Sequence, residues 1–499
     1  MPSIKKVLVA NRGEIALRVM RSAKEMGIRT VAVFSDADRT MPFVRYADEA
    51  VHIGAAPSSQ SYLVTEKIID AAKKTKADAI HPGYGFLSER DEFVEKAERA
   101  GIIFIGPSAQ SIRMMGNKIA AKEIARRLDV PLVPGTVNAV ENISAAKREA
   151  EKIGYPVLLK AAAGGGGKGM RVVNEESELQ SQMERAVSEA QASFGDGSVF
   201  IEKYIASPRH IEIQILADMR GNTVYLFERE CSIQRRHQKL LEEAPSPVVT
   251  ETLRKKMGEC AVALAKACNY ASAGTIEFLV DEQLNFYFLE MNTRLQVEHP
   301  VTEFITGLDL VKEQIKIAQG ETLGFTQADL TMNGHAIELR VNAEDPFDNF
   351  LPNVGKLETY RKPGGNGVRV DDGYEEGMTV PIHYDPMIAK LITHGTDRNE
   401  AIERMTRAID EYKISGMKTT LPFGKFMMRH SDFRKGNMST KFIEQHFSPE
   451  KLSTKKKDEA EVAALAGIIF LEKAQPQTSN PKLQTAASDW KKNRLNLEL

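Results

Sequence analysis

The first hundred residues alternate short apolar runs with amphipathic segments, and this alternation restricts the fold more than any other feature of the sequence. The apolar runs are typical of buried β-strands, and the segments between them have the periodicity of helices that pack on one face. Strands are predicted at 7–10, 30–34, 79–81 and 102–105, and helices at 15–26, 62–74 and 92–100. Strands joined through helices predict an α/β domain, a doubly wound parallel sheet with helices on both faces.

Two glycine-containing turns follow strands of this predicted sheet. Asn11, Arg12 and Gly13 come after the first strand, and the run HPGYG at 81–85 overlaps the end of the third. Sheets of this class bind ligands outside the carboxyl ends of their strands. We therefore expect a ligand site at these turns.

The chain beyond these turns is predicted to form a larger α+β region. A compact insert at about 131–204 contains a glycine-rich loop, and strand signals follow at 211–216, 275–280 and 286–289. The last part of the chain differs, because a helix-like segment at 459–474 is followed by a linker rich in Pro, Gln, Ser and Asn.

Charge and cysteine usage exclude several classes of protein. Lys+Arg total 67 and Asp+Glu total 68, so the formal net charge is −1 and no basic excess indicates nucleic acid. The three cysteines form no CxxC pair, which favours a reducing compartment, the cytoplasm. No apolar run is long enough to span a bilayer or to form a signal peptide. We therefore expect neither a nucleic-acid nor a membrane partner.

A glycine run between two predicted strands is the first candidate for chemistry. Lys160 ends one strand, and three alanines, four glycines, Lys168 and Gly169 follow it. Because glycine has no Cβ, several backbone N–H groups can approach a polyphosphate. The run is not a P-loop, since Gly169 stands where Ser or Thr is needed and a strand follows instead of a helix. The alternative is a flexible hairpin tip.

Two glutamates lie within a predicted hairpin. Pairing Val280 with Asn285 places Glu277 opposite Phe288, and Glu290 falls two residues further along on the same face. Two carboxylates one diagonal step apart suit a hard divalent cation. The alternative is a solvent-facing strand pair that carries two unrelated glutamates.

The polar residues that continue this hairpin alternate along the chain. If residues 290–298 are extended, one face presents Glu290, Asn292, Arg294, Gln296 and Glu298. Such a face combines oxygen ligands for a metal with a guanidinium for an anion. A charged sheet face is the alternative. The basic cluster at 235–239, taken by itself, indicates a solvated surface or a weak anion patch.

Four motifs together resemble biotin carboxylase. They are VANRGEIA (9–16), HPGYGFLSE (81–89), EMNTRLQVEHPVTE (290–303) and HAIELR (335–340), which occur in the order that this family has. The resemblance extends from about residue 5 to residue 447. It implies the ATP-grasp fold, in which a mobile B subdomain closes over ATP.

The resemblance also implies a division of the chain. An N-terminal pre-ATP-grasp domain would occupy 1–117, and an ATP-grasp domain with its lid at about 131–204 would occupy 118–330. A C-terminal α+β domain would follow at 331–447, and an extension at 448–499 would complete the chain.

Each residue at a matching position has an implied role. Residues that would contact ATP are Lys118, Lys160, Gly165, Gly166, Gly167, Glu202, Lys203, Tyr204, Ile205, His210, Gln234, His237, Glu277, Leu279 and Glu290. Two Mg²⁺ or Mn²⁺ ions would be held by Glu277, Glu290 and Asn292. Bicarbonate would be bound by Lys239, Arg294, Gln296, Val297 and Glu298, and biotin by Tyr84 and Arg340. The catalytic set would be Lys239, Arg294, Arg340 and Glu298, with Glu298 as the general base.

The reaction implied is the ATP- and bicarbonate-dependent carboxylation of biotin on a biotin carboxyl carrier protein, through carboxyphosphate. A carboxylate must take the bicarbonate proton, and cations must stabilise the charge that develops. This would be the first half-reaction of an acetyl-CoA, other acyl-CoA or pyruvate carboxylase, with a place in fatty acid biosynthesis in the first case. The further partners implied are a second copy of the chain, in a homodimer, and a carboxyltransferase subunit.

Two features depart from the family pattern, and two other interpretations stay open. Ala162 and Ala163 stand where the family loop more often has glycine, and the extension after 447 exceeds the minimal subunit. We expect this extension to dock on a transcarboxylase or carrier partner. The other interpretations are a different ATP-grasp ligase, such as carbamoyl-phosphate synthetase, and a nucleotide-binding regulatory subunit without turnover. Intact Lys239, Arg294 and Glu298 disfavour the second.

Overall fold

The predicted parallel sheet forms at the N-terminus of the computed structural model, which describes residues 3–161, 170–194, 196–452 and 465. Its strands are β1 (Lys6–Val9), β2 (Arg29–Ser35), β3 (Glu49–Gly54), β4 (Ala79–His81) and β5 (Ile103–Phe104). The helices are α1 (Gly13–Glu25), α2 (Pro42–Tyr46), α3 (Thr65–Thr75), α4 (Asp91–Arg99) and α5 (Ala109–Gly116). The strands pair in parallel in the order β3-β2-β1-β4-β5. Val7 and Val9 belong to one hydrophobic core and Leu8 to another, so both faces are covered as predicted.

The predicted insert contains a small antiparallel sheet with a hydrophobic core of its own. Its elements are α7 (Ile143–Ile153), β6 (Val157–Ala161), β7 (Met170–Val173), α8 (Glu176–Phe194) and β8 (Val199–Lys203), and helix α6 (Lys118–Arg127) precedes it. The strands pair in the order β7-β6-β8. Ala146, Leu159 and Ile201 are fully buried in this core. The glycine loop at 162–169 lies outside the described residues, so the roles of Gly165, Gly166 and Gly167 stay predictions.

A large antiparallel sheet forms the centre of the described structure. Its strands are β9 (Arg209–Ala217), β10 (Thr223–Arg235), β11 (Gln238–Ala244), β12 (Ser272–Val280), β13 (Phe286–Asn292), β14 (His335–Asn342), β19 (Val368–Asp372) and β21 (Met387–Gly395). They pair in the order β13-β12-β9-β10-β11-β14-β21-β19. The sheet therefore crosses the predicted boundary at 330/331 without a break, because β11 pairs directly with β14.

Short strands and helices surround this sheet. The strand pairs are β15 (Glu344–Asp345) with β16 (Leu351–Pro352), β17 (Gly355–Lys356) with β20 (Thr379–Val380), and β18 (Thr359–Arg361) with β22 (Lys413–Ser415). The helices are α9 (Glu251–Ala267), α10 (His299–Thr306), α11 (Leu310–Ala318), α12 (Arg398–Glu411), α13 (Leu421–Arg429), α14 (Ser431–Arg434) and α15 (Phe442–His446). No helix within the described ranges is long and apolar enough to cross a membrane.

The acidic hairpin forms, but its predicted register is wrong. Val280 pairs with Phe286, not with Asn285, and the register shifts between Glu277 and Phe278. This irregularity brings Glu277 directly opposite Glu290, where the prediction had placed Phe288. The two carboxylates are therefore closer together than the diagonal arrangement required.

The extended conformation considered for 290–298 continues only as far as Asn292. β13 ends at Asn292, and α10 begins at His299, so the residues between them form an irregular connection. Glu89 fixes this connection, because its Oε1 accepts a hydrogen bond of 3.0 Å from the Thr293 backbone N–H. The contact with Glu89 therefore ends β13 at a point where the alternating polar pattern alone would predict that the strand continues.

The described chain up to Pro449 packs as one compact unit, and Phe447 closes its C-terminal end. The Phe447 ring lies 5.3–5.4 Å, between centroids, from Phe350, Phe423 and Phe426. The helix predicted at 459–474 lies outside the described residues apart from position 465.

Truncating Phe447 to alanine is expected to lower the free energy of unfolding by about 2–4 kcal/mol, since its half-buried ring fills a cluster that alanine leaves open. Urea unfolding followed by circular dichroism measures this loss. The control is Phe347→Ala, because the Phe347 side chain is 43% exposed and its loss should change the unfolding free energy by less than about 1 kcal/mol. Equal losses in the two variants would contradict the packing role of Phe447.

Candidate active site

One cleft of about 1430 Å³ collects side chains from the N-terminal sheet, the insert and the central sheet. The predicted residues that line it are Tyr84, Lys118, Lys160, Glu202, Lys203, Tyr204, Ile205, His210, Gln234, His237, Lys239, Glu277, Leu279, Glu290, Asn292, Arg294, Gln296, Val297, Glu298 and Arg340. Their individual roles stay predictions, but their common location is a property of the fold.

Lys239 on β11 lies at the centre of the cleft and holds three carboxylates. Its Nζ is 2.5 Å from Glu212 Oε2, 3.0 Å from Glu277 Oε1 and 2.6 Å from Glu298 Oε1. Burial alone would lower its pKa, but the three carboxylates raise the pKa of Lys239 well above that of an ordinary lysine. The ammonium is therefore charged at neutral pH.

Glu298 stands immediately before α10 and is ion-paired on both sides. Besides the bond to Lys239, its Oε2 accepts a hydrogen bond of 3.0 Å from Arg340 on β14. Burial would raise its pKa, but Lys239, Arg340 and the nearby Arg229 together hold the pKa of Glu298 well below its usual range. A buried, ionised carboxylate thus faces the cleft between two cations.

Arg340 reaches Glu298 because β14 lies beside β11. Its Nε donates a hydrogen bond of 2.7 Å to Glu242 Oε1, and Glu242 itself is opposite Glu338 in the strand pair. Sequence reasoning did not single out Glu242, whose side chain fixes the guanidinium from the side opposite Glu298. Strict alternation would place Lys239 and Glu242, three positions apart on β11, on opposite faces, but the pairing of β10 with β11 shifts register between them.

Arg294 lies on the irregular connection between β13 and α10. Its Nε donates a hydrogen bond of 2.8 Å to Glu89 Oε2, and its Nη2 donates one of 3.0 Å to Asn292 Oδ1. Glu89 closes the motif at 81–89 but was given no role from the sequence. It holds both Thr293 and Arg294, so it anchors the segment that carries the predicted anion ligands.

Glu277 and Glu290 present their carboxylates side by side across β12 and β13. Glu277 is contacted by His210 at 3.2 Å, and its Oε1 accepts a hydrogen bond of 2.9 Å from Asn292. Burial and the charge of Glu277 raise the pKa of Glu290. Such repulsion is relieved by a divalent cation, and opposed carboxylates are the oxygen donors that Mg²⁺ prefers. The donor set therefore fits a magnesium ion.

The insert contributes a second charged group. Lys160 Nζ is 2.5 Å from Glu202 Oε2, and Lys122 donates to the other oxygen of the same carboxylate. These lysines hold the pKa of Glu202 below its usual range although burial opposes this. Lys122 was missed by sequence reasoning, because a lysine on an amphipathic helix is normally a solvated residue.

Lys203 and Tyr84 are committed to contacts within the protein. The Lys203 ammonium donates hydrogen bonds to the backbone oxygens of Gly154 and Tyr155, at 2.8 and 3.0 Å. The Tyr84 hydroxyl donates to Glu14, which lies 3.3 Å from the ammonium of the fully buried Lys390.

Lys390 connects this group to the segment that carries the predicted bicarbonate ligands. Its Nζ donates a hydrogen bond of 2.9 Å to the backbone oxygen of Val297. Glu14 belongs to the motif at 9–16, whereas no signal in the sequence distinguished Lys390.

The fold and the cleft define the class of ATP-grasp ligases. Residues 3–112 match the family described as biotin carboxylase, N-terminal domain, and residues 338–445 match the biotin carboxylase C-terminal domain. Residues 117–326 match the ATP binding domain of the carbamoyl-phosphate synthase L chain.

Relatives that match nearly the whole chain extend these results. A pyruvate carboxylase subunit from Methanothermobacter thermautotrophicus is 55% identical over 441 residues, which are 88% of this chain and 90% of the relative. Biotin carboxylase 1 of Bacillus subtilis is 52% identical over 444 residues, which are 89% of this chain and 99% of the relative. The chain belongs to the biotin carboxylase family.

A solved structure supports the same assignment. It is the biotin carboxylase domain dimer of Hydrogenobacter thermophilus 2-oxoglutarate carboxylase, in complex with MgADP, ADP and bicarbonate. The two structures share 49% identity and a TM-score of 0.85, and the match covers 91% of this chain and 100% of that one. The predicted family, the predicted fold class and the prediction of an ATP-using ligase are confirmed.

The comparisons also bear on carbamoyl-phosphate synthetase, the first of the other interpretations. The ATP-binding region matches the family model of carbamoyl-phosphate synthases. The domains on both sides of it belong to biotin carboxylase, which carbamoyl-phosphate synthetase does not explain.

Proposed function

We propose that this chain carboxylates the biotin of a carrier protein with ATP and bicarbonate, as the first half-reaction of a biotin-dependent carboxylase, and that its cleft residues act as the family resemblance implies. The observation that carries the proposal is the position of Glu298, an ionised carboxylate held between Lys239 and Arg340 in the cleft. This point brings together the base Glu298, the ammonium of Lys239 for bicarbonate and the guanidinium of Arg340 for biotin.

Bicarbonate binds against Lys239, Arg294, Gln296 and the backbone of Val297. When the anion arrives, Lys239 and Arg294 divide their charge between it and the carboxylates that they already hold. The pKa of Glu298 then rises from its low value in the free protein, because its largest stabilising charge is shared. Glu298 takes the bicarbonate proton while the cations stabilise the resulting dianion.

ATP occupies the part of the cleft between the insert and the central sheet. Lys118 and Lys160, with the loop containing Gly165, Gly166 and Gly167, bind its phosphates, and Lys160 leaves Glu202 to do so. The remaining nucleotide contacts come from Lys203, Tyr204, Ile205, His210, Gln234, His237 and Leu279. Mg²⁺ or Mn²⁺, in two sites held by Glu277, Glu290 and Asn292, would neutralise charge on the phosphates.

Biotin enters beside Arg340, whose guanidinium stabilises the charge that develops on the ureido oxygen when the phosphate released from carboxyphosphate takes the N1′ proton. Tyr84 borders this subsite. Its hydroxyl is fixed by Glu14, so the ring presents an unchanging wall.

The partners are the biotin carboxyl carrier protein, a second copy of the chain and a carboxyltransferase subunit. Pyruvate carboxylase and 2-oxoglutarate carboxylase among the relatives favour no single acceptor, so acetyl-CoA, another acyl-CoA, pyruvate and 2-oxoglutarate are candidates. Fatty acid biosynthesis applies only if the acceptor is acetyl-CoA.

The free cysteines support a cytoplasmic location. The docking role of the extension after 447 stays a prediction, since most of that extension lies outside the described residues.

Release of ADP in the presence of bicarbonate, with and without free biotin, tests the proposed function. We expect slow bicarbonate-dependent release that biotin accelerates and ammonia does not. Acceleration by ammonia would favour carbamoyl-phosphate synthesis, and an absence of turnover with intact ATP binding would favour a regulatory subunit. Either result would contradict the proposal.

A further inference from the structure

Arg229 on β10 is the largest side chain that is fully buried among the described residues, yet it lies next to the anion end of the cleft. Its five N–H groups have five acceptors. Nε donates to Glu212 at 2.6 Å, Nη1 to Gln214 at 2.6 Å and Thr302 at 2.9 Å, and Nη2 to Thr275 at 3.0 Å and Gln296 at 2.6 Å. A guanidinium with every donor satisfied is held in a single orientation.

The contact with Gln296 decides which way that amide points. Arginine has donors only, so the oxygen Oε1 of Gln296 must face Arg229. The amide nitrogen is then directed into the cleft, where it donates a hydrogen bond of 2.9 Å to Glu277. A glutamine free to rotate could also present its oxygen to an incoming anion, and this oxygen would repel the anion.

The contact with Glu212 acts on the opposite side of the same subsite. One oxygen of Glu212 accepts from Arg229 Nε, and the other holds Lys239 at 2.5 Å. Glu212 is fully buried, so it has no solvent to replace either partner. One guanidinium therefore fixes both the amide and the ammonium that face the anion, although it lines no part of the cleft itself.

We propose that Arg229 is a positioning residue for bicarbonate, acting through Gln296 and Glu212 rather than by contact with the anion. This inference rests on the proposed function. The competing explanation is a structural ion pair that only stabilises the sheet, as buried arginine–glutamate pairs do elsewhere. If Arg229 positions the bicarbonate ligands, a conservative substitution should raise the KM for bicarbonate alone. If Arg229 is only structural, the KM for ATP should change with it or neither should change.

Arg229→Lys keeps the positive charge but cannot reach Glu212 and Gln296 together. We expect the KM for bicarbonate to rise about tenfold or more, which is the loss of about one charged hydrogen bond. The KM for ATP and the kcat at saturating bicarbonate should change by less than about threefold. If the KM values for ATP and bicarbonate rise in parallel, or if the KM for bicarbonate stays within about twofold, the residue is structural and the inference is wrong.

Arg254→Lys is the matched control. Arg254 makes two hydrogen bonds of 2.7 Å to the fully buried Glu228, the neighbour of Arg229 on β10, and lies outside the cleft. This variant should lower the thermal midpoint without changing the KM for bicarbonate. If it raises that KM as Arg229→Lys does, general loosening of β10 explains both and the inference is wrong.

Two further measurements keep the test decisive. If Arg229→Lys does not fold, Thr275→Val replaces it, since this near-isosteric change removes the other acceptor of Nη2 beside Gln296 and leaves the guanidinium in place. We expect it to raise the KM for bicarbonate about two- to fivefold with the KM for ATP unchanged, and an unchanged KM for bicarbonate would overturn the inference. Wild-type protein without biotin-stimulated ADP release would instead overturn the proposed function, so the two failures are distinguishable.

Discussion

Replacing Glu298 by glutamine is expected to slow bicarbonate-dependent ADP release by about 10²–10⁴-fold, the range that a positioned general base supplies. Glutamine keeps the shape of the side chain but cannot accept a proton. Glu298 lies 2.6 Å from Lys239 and 3.0 Å from Arg340, and among the described residues it is the carboxylate that pairs with both cations. Steady-state turnover with and without biotin measures the loss.

Binding of ATP should survive this substitution, because Glu298 is not among the residues proposed to contact the nucleotide. We expect the Kd for ATP to change by less than about threefold. Glu243→Gln is the control: Glu243 is also a buried glutamate in an ion pair, 2.6 Å from His335 and 2.7 Å from Arg398, but it lies outside the cleft. Its variant should lose stability and keep turnover. Near-normal turnover of Glu298→Gln, or an equal loss in both variants, would remove Glu298 as the base.

The N-terminal sheet could be predicted because its strands are buried on both faces and therefore appear as continuous apolar runs. β3 was not predicted, since it lies at the edge of the sheet and exposes alternate residues. The helix predicted from residue 62 begins at Thr65, because the apolar Tyr62 before it packs into the core without being helical. Periodicity detects burial, and it fails where a buried residue lies outside a regular element.

The cleft could be predicted residue by residue only through the family resemblance. Spacing along the chain placed Glu277 and Glu290 on one face, which is correct, but the register shift between Glu277 and Phe278 that brings them opposite each other depends on the neighbouring strand. The alternation at 290–298 suggested an extended strand that the contact between Glu89 and Thr293 interrupts. Arg229 and Lys390 are buried beneath the residues that line the cleft. No pattern in the neighbouring sequence indicates their contacts, because their partners come from distant parts of the chain.

Replacing Lys239 by methionine is expected to have the largest combined effect on stability and activity. It leaves Glu212, Glu277 and Glu298 buried without their shared cation, and breaking a buried ion pair from one side costs about 3–5 kcal/mol. Bicarbonate-dependent turnover should fall by about 100-fold or more, because the anion loses its central ligand. Thermal unfolding and steady-state turnover of the purified variant measure the two losses.

The pH dependence of this instability identifies its cause. Lys239 holds the pKa of Glu277 and of Glu298 low in the folded protein, so these carboxylates contribute stability above their unfolded pKa of about 4.3 and lose it as the pH falls. Without Lys239, burial raises both pKa values, and the folded variant must take up protons as the pH drops. The deficit in thermal midpoint relative to wild type should therefore be largest near neutral pH and shrink toward pH values of about 4.

A surface lysine provides the comparison that this interpretation needs. Lys312 pairs with the exposed Glu25 at 2.6 Å, and exposed pairs of this kind contribute less than about 1 kcal/mol. Lys312→Met should lower the thermal midpoint slightly, and by nearly the same amount across the same range of pH. A deficit in Lys239→Met that does not vary with pH would mean that lost packing, and not three uncompensated carboxylates, destabilises the protein. Lys239 would then not be the group that compensates the three buried carboxylates. It would also not be what keeps Glu298 ionised beside bicarbonate.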